Sequence, residues 1–312
     1  MLTVIVALTA NAILAVLKTV AAVVTGSASM VAEASHSWAD TGNEIFLVVA
    51  ERRSDKPPDD EHPLGYGRAA YVWSMIAAFG LFAVGAAVSV IHGIQSLGAD
   101  ERDADYLWAY LVLGAAFVLE GTSFLQARRE VRRGALSAKV SGAQFVDQTS
   151  DPTLRGVFFE DAAALVGIVI AISGLALHQV TGDAAWDAIG SILVGLLLGF
   201  IAIYLLRRNM AFLVGQVADP RIYASVLRWL EERPEVQSVN TLHLEYVGPE
   251  RLFLVGSVDL VGDHVESEAA EQLQRLEDEL AQRPDIMRAV LSLAAPGRPP
   301  SVVRVPGNIH DG

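Results

Sequence analysis

The chain has 312 residues, 52% of them hydrophobic, no cysteine and a formal net charge of −13. Without cysteine it forms no disulfide and no thiolate metal site, which leaves His, Asp and Glu as metal ligands. The acidity, with 15 acids against 7 bases from Gln216 to Pro296, argues against a nucleic-acid partner. The mean hydropathy of +0.39 argues for a membrane protein.

Six apolar segments, at 3–25, 29–51, 70–97, 105–127, 156–178 and 184–206, each come near the roughly 20 residues a helix needs to span a bilayer. The first has no basic region and no small-residue cleavage site, so it reads as a retained helix and not a signal peptide. Segments one and two are joined by Thr25-Gly26-Ser27-Ala28-Ser29, and five and six by Thr181-Gly182-Asp183. Links this short make antiparallel neighbours. Arg52, Arg53, Lys56 and Arg68 follow segment two, and Arg128, Arg129, Arg132, Arg133, Lys139 and Arg155 separate four from five. Arg207 and Arg208 follow segment six, whereas between three and four Arg102 stands among Asp100, Glu101, Asp103 and Asp105. The positive-inside rule then puts both termini in the cytoplasm. The expected location is a bacterial inner membrane.

After Gly215 the pattern changes. Asp219-Pro220 reads as an N-cap with proline at the first helical position, opening a helix to about Glu232. Residues 236–247 alternate as a half-buried strand does, 251–260 gives a second strand and Ile286–Leu293 a third. Between them Asp263 and Glu266 resemble a capping box, ahead of an apolar stripe of Val265, Ala269, Leu273, Leu276 and Leu280. The expected architecture is a polytopic α-helical membrane protein, with six transmembrane helices in 1–212. A cytoplasmic α+β domain of order α-β-β-α-β would occupy 213–295, and a disordered Pro/Gly-rich tail 296–312.

The chemistry centres on the second segment, where Glu33, His36 and Asp40 are ionisable. An aspartate in hydrocarbon costs roughly 2.5–3.5 kcal/mol on insertion scales, so such residues are there for function. His36 and Asp40 are i, i+4 partners, and Glu33 sits one turn earlier on the same stripe. Glu160 and Asp161 stand at the start of segment five. Two helices offering such groups at similar depth can close a tetrahedral site for a divalent cation. His36, Asp40 and Asp161 supply three ligands, and Glu160, Asn43, Glu33 or a water completes it. Glu160 and Asp161 lie about 100° apart on a helix, so both reach one ion only with local adjustment. The plainer alternatives are an intrahelical His36–Asp40 hydrogen bond, and a Glu160 carboxylate stabilised by the helix dipole.

Ser27-Ala28-Ser29, His36-x-x-x-Asp40, the loop from Asp60 through His62 and Tyr66 to Arg68, Glu160-Asp161, and Asp187 with the residues after it together resemble the cation diffusion facilitator family. The Glu33…His36-Ser37…Asp40-Thr41…Asn43 pattern is most similar to the zinc transporter nine subgroup. That resemblance covers residues 1 to about 295. It implies a homodimer of six-helix protomers with a metallochaperone-like cytoplasmic domain, and export of zinc or a related divalent ion in exchange for protons. Val157 stands where many members carry a second ligand, and Tyr66 where some carry a second loop histidine. The third strand also lacks the His and Asp ligands of a binuclear cytoplasmic site, with His243, Glu245, Asp259, His264 and Glu268 the only nearby donors.

Asp59, Asp60 and His62 read chiefly as a structural turn. Lys18, which shares a face with Asn11, either neutralises a carboxylate or snorkels out. Glu120 and Asp187 either line an aqueous path or hold helices together. The mechanism expected is alternating access, in which metal and protons compete for the same ligands and His36 exchanges the proton. Zn(II) suits a mixed imidazole and carboxylate site, with Fe(II), Mn(II), Co(II) and Ni(II) open. The rival readings are a membrane metal sensor that keeps the fold without transporting, and an intramembrane metallohydrolase. The chain lacks H-E-x-x-H and any nucleophile motif, so no enzyme is expected.

Overall fold

A computed structural model of the chain describes residues 2–97 and 106–295. The acidic stretch 100–105 and the tail 296–312, on which the orientation and disorder readings drew, lie outside the described residues. The chain divides into two compact units, Met1–Arg52 with Ala70–Met210, and Arg53–Ala69 with Ala211–Gly312. The segment Arg53–Ala69, expected within the helical part, packs with the C-terminal unit instead.

The first unit is built from long helices: α1 (Leu2–Thr25), α2 (Ala28–Ser54), α3 (Ala69–Ser96), α4 (Tyr106–Ala138), the short α5 (Gly142–Gln148), α6 (Pro152–Thr181) and α7 (Ala185–Gly215). Among the described residues four of these, α3, α4, α6 and α7, are long and apolar enough to cross a membrane, and α1 adds the shorter apolar run Asn11–Thr25. The chain turns between α6 and α7 at Gly182, whose φ of 73° suits a residue without a Cβ. One apolar cluster joins α1, α2, α4 and α6 through residues such as Leu14, Met30, Leu113 and Ile168. A second joins α2, α3, α6 and α7 through Ala32, Ala78, Ala163 and Leu198. Both clusters include α2 and α6, so these two helices form the spine of the unit. Large apolar side chains such as Val23, Val118, Val180 and Phe200 are exposed, while Lys18, Glu33, His36 and Asp187 are buried. That inversion of the soluble pattern matches a hydrocarbon solvent.

Several helix ends differ from the hydropathy reading, because the bilayer limits an apolar stretch and not a helix. α4 continues through its Arg-rich segment to Ala138, where Arg, Glu, Leu and Ala are all good helix formers. α6 starts at Pro152, capped by Asp151, which accepts from the N–H groups of Thr153 and Leu154. Glu160 and Asp161 therefore lie inside the helix and not in its first turn, and the dipole explanation for Glu160 lapses. Arg155 is fully buried beneath this corner and donates to the carbonyls of Val146 and Thr149 and to Asn209 Oδ1.

The start of α2 is held from another helix. Asp187 accepts from Ser27 Oγ at 2.9 Å, Ala28 N at 2.6 Å and Ser29 N at 3.3 Å, while Ser29 Oγ donates to the Asp187 carbonyl at 2.9 Å. A carboxylate at the first residue numbers of one helix thereby satisfies the orphan N–H groups of another. Of the two readings open for Asp187, the structure shows the helix-joining one. A Cβ at Gly174 would lie 3.4 Å from Ser29 Oγ, and one at Gly190 2.7 Å, so the missing side chains let α6 and α7 close on this point.

In the second unit α8 (Pro220–Glu231), β1 (Val236–Gly248), β2 (Arg251–Leu260), α9 (Glu266–Ala281) and β3 (Ile286–Leu293) follow in order. The sheet order is β1-β2-β3, antiparallel in the first pair and parallel in the second. Asp219 caps α8 by accepting from Arg221 N, with Pro220 in the first turn. The Asp263–Glu266 capping box does not form. Val265 occupies the N-cap without a side-chain bond, which makes Glu266 the first helical residue and too early to reach back. Ala269, Leu276 and Leu280 of the expected stripe are buried, whereas Val265 is exposed. Arg53–Ala69 is held to this unit by an Arg68–Glu245 ion pair, by Arg251 with Asp55 at 3.5 Å, and by close backbone approach. A Cβ at Gly67 would lie 2.6 Å from the Val247 carbonyl. Within the segment, Asp59 accepts from His62 N and from Tyr66 Oη, each at 2.7 Å, closing a turn.

Asp187→Ala strips the acceptor from three donors at once. It is expected to cost about 1–2 kcal/mol and to lower the thermal midpoint of the detergent-solubilised chain. Asp187→Asn, which keeps one acceptor, should recover part of the loss.

Candidate metal site

The polar stripe of α2 runs through Glu33, His36, Asp40, Asn43 and Glu44, and each meets a different partner. Glu33 is fully buried and its Oε2 pairs with Lys18 Nζ of α1 at 3.0 Å, Lys18 being itself 1% exposed. Lys18 thus neutralises a carboxylate and does not snorkel. His36, also fully buried, has Nε2 3.2 Å from Asp40 Oδ1. Asn43 Nδ2 donates to Glu160 Oε1, and Asn11 Nδ2 donates to Glu44 Oε1 at 2.7 Å. Asp161 Oδ2 accepts from Ser123 Oγ of α4 at 2.7 Å. Glu120, buried on the same helix as Ser123, lies in the electrostatic field of Lys18, His36 and Asp40.

His36 and Asp40 are therefore brought together. Glu160 is turned to Asn43 and Asp161 to Ser123, each on a neighbouring helix. Among the described residues no three His, Asp or Glu side chains gather closely enough to enclose one metal ion. Yet the stripe is short of donors. Apart from the His36 Nε2–Asp40 Oδ1 contact, Glu33 Oε1, His36 Nδ1, Ser37 Oγ, Asn43 Oδ1 and Glu44 Oε2 are buried without a hydrogen-bond partner among the described residues. A buried polar group left so costs about 1–3 kcal/mol. Most of these orphans are acceptors, on carboxylate, amide and imidazole groups, which is a set a divalent cation would satisfy. Gly167 of α6 leaves room for the Glu33 head group, since a Cβ there would lie 2.8 Å from Oε1.

The spacing rules singled out His36, Asp40, Glu160 and Asp161 as candidates but passed over Glu44, which is i+4 from Asp40 and so one more step on the same stripe. Ser123 lacked any signal, because it contributes only through the packing of α4 on α6. In the second unit His243 Nε2 is 3.8 Å from Glu245 Oε2, and His264 Nδ1 is 3.6 Å from Glu268 Oε2.

Apolar groups outside and a spine of ionisable groups inside define a helical membrane protein. The chain belongs to the cation efflux family, whose cation efflux transmembrane domain matches residues 4–214. It is similar to a mitochondrial proton-coupled zinc antiporter of Xenopus laevis, 36% identical over 259 residues, which is 83% of this chain and 46% of the relative. Metal tolerance protein C4 of Arabidopsis thaliana is 34% identical over 236 residues, 76% of this chain and 52% of that protein. Magnetosome protein MamB of Magnetospirillum gryphiswaldense is 24% identical over 285 residues, 90% of each chain. The chain spans about half the length of the first two relatives.

Lys18→Met leaves Glu33 buried and unpaired. Breaking a buried ion pair in this way costs about 3–5 kcal/mol, so the variant should melt well below wild type in detergent. Lys18→Met with Glu33→Leu, which removes both charges, is expected to regain most of the stability.

Proposed function

We propose that the chain is a divalent-cation efflux transporter that exchanges metal for protons by alternating access, with Zn(II) as the first expected cargo and Fe(II), Mn(II), Co(II) and Ni(II) as further ones. The observation that carries this reading is the row of buried, unpartnered acceptors on α2 around the His36–Asp40 pair. It stands in a chain that matches the cation efflux transmembrane domain and is similar to a protein named as a proton-coupled zinc antiporter. His36, Asp40, Asp161 and Glu160 are the proposed ligands. Rotation of the Glu160 and Asp161 side chains away from Asn43 and Ser123 would bring two carboxylates of α6 toward the pair on α2. Glu33 is given to Lys18, and Asn43 holds Glu160 in the metal-free arrangement.

The chemistry follows from the donor set. A metal ion needs deprotonated carboxylates and a neutral imidazole, so every cation bound displaces protons, and every proton gained weakens metal binding. Exposing the site alternately to the two sides of the membrane then couples the two flows without ATP. Six membrane-crossing helices, with α1 and α2 completing the four apolar ones, and both termini in the cytoplasm complete the proposal, together with a homodimeric assembly and a bacterial inner-membrane location. The charged loops support that orientation.

Purified chain in proteoliposomes should move Zn(II) with counterflow of protons, read by a metal-sensitive and a pH-sensitive dye on opposite sides. Asp40→Ala and Asp161→Ala are each expected to lower flux at least tenfold, and His36→Ala to uncouple or abolish it. Wild-type flux in both aspartate variants would reject the site, and metal binding without any proton movement would favour a sensor.

A further inference from the structure

α4 is longer than a bilayer is thick. At about 1.5 Å per residue, Tyr106–Leu125 already spans about 30 Å, the depth of the hydrocarbon, yet the helix runs on to Ala138. That extension carries Arg128, Arg129, Arg132 and Arg133, all exposed, in a chain whose net charge is −13. With Arg128 taken as zero and about 100° per residue, Arg132, Arg129 and Arg133 follow at about 40°, 100° and 140°, so the four share one face. Leu125, which is 48% exposed, falls inside the same arc at about 60°. Ala127, Val131 and Ala135 are buried, and they lie on the other face at about 260°, 300° and 340°. α5 packs there: its Phe145 ring fills the space that a Cβ at Gly134 would take, and a Cβ at Gly142 would lie 3.6 Å from Val131. α5 thus braces one side of the extension and leaves the arginine side turned outward.

The protein supplies these arginines with no counter-charge. None of the four forms an ion pair among the described residues. Glu130 is the single acid between Leu125 and Ala138, and it falls at about 200°, off the arginine arc. Asp147 of α5 is taken by Arg208. Guanidinium groups in a row on one face suit phosphate oxygens, which they can grip with two N–H groups each. The position of the row says whose phosphates these are. Arg128 stands about 4.5 Å past Leu125 along the helix axis and Arg133 about 12 Å, beside a headgroup layer about 5–8 Å deep. Helical Cα–Cβ bonds tilt toward the N-terminus, which here is back toward the membrane.

We propose that this face of α4 binds the phosphate headgroups of anionic phospholipids in the leaflet that the C-terminal end of the helix reaches. A basic run beside a membrane span attracts acidic lipid in any case; here the run is a braced helix, so the charges are held in one place and the acyl chain of a bound lipid continues along Leu125. The binding depends neither on the transport reading nor on which side of the membrane the termini occupy.

The test is native mass spectrometry of the full-length chain in detergent, with an equimolar mixture of phosphatidylglycerol and phosphatidylcholine of matched acyl chains. Wild type should retain phosphatidylglycerol over phosphatidylcholine by about threefold or more, and the preference should shrink as salt is raised. Replacing Arg128, Arg129, Arg132 and Arg133 together by Gln should abolish the preference, while replacing the same four by Lys should keep most of it. Exposed helical positions tolerate either change; if the fourfold Gln variant melts early, Arg128→Gln with Arg132→Gln carries the test and should about halve the preference. Arg228→Gln with Arg275→Gln, which removes two exposed charges from the C-terminal unit, should leave it intact. No preference in wild type, a preference that survives the Gln variants, or one lost equally in the C-terminal control would overturn the proposal. A Gln variant that changes the number of chains per particle while keeping the lipid preference would overturn it too, by showing that the face joins copies of the chain.

Discussion

A lysine and a glutamate locked together where no water reaches them set the terms for everything around them. Lys18 and Glu33 are both essentially unexposed and 3.0 Å apart, and each would be intolerable in hydrocarbon without the other. The pair fixes α1 against α2 near the point where the remaining ionisable groups begin. It also divides the stripe on α2 by charge. Glu33 is neutralised by Lys18, whereas Asp40, about two turns further on, faces the His36 imidazole.

Close backbone approach makes that arrangement possible. Glycines on α6 and α7 stand where any side chain would strike Glu33 or Ser29, so the spine helices meet at short range around polar atoms and not around bulk. Asp187 adds a bond of a different kind, because it caps a helix to which it does not belong. A cap of this sort keeps α2 from fraying and ties its register to α7. The stripe from Glu33 to Glu44 is thus held at its start by α7, along one side by Lys18 and Asn11 of α1, and along the other by Glu160 of α6.

The C-terminal unit follows ordinary soluble rules. Its helices bury Tyr223, Val226, Leu230, Leu276 and Leu280, with α8 packed on β1 and α9 on β3 of the three-stranded sheet. The segment Arg53–Ala69 joins it through a glycine pair, Gly67 and Gly248, whose backbones nearly touch. The ion pairs that accompany this contact are exposed enough to contribute at most about 1 kcal/mol each. The glycine approach and the Asp59 turn do most to shape the segment.

Much of this was legible in the residues alone. Runs of apolar residues near the membrane thickness marked the long helices, since hydrocarbon forces every backbone group into a helix. Period-two alternation marked the first strand, and Asp219-Pro220 marked the start of α8. His36 and Asp40 declared themselves because a four-residue spacing on a helix is also a spatial contact. What local pattern could not supply were relations between distant segments: that Lys18 answers Glu33, that Asn11 answers Glu44, that Asp187 caps α2, and that Arg53–Ala69 sits on the C-terminal sheet. Those depend on which helix faces which, and that is decided by packing over the whole chain. The sequence by itself determined which groups had to find partners in a medium without water; only the tertiary structure decided who the partners are, because satisfying a buried charge is a matter of distance through space and not of separation along the chain.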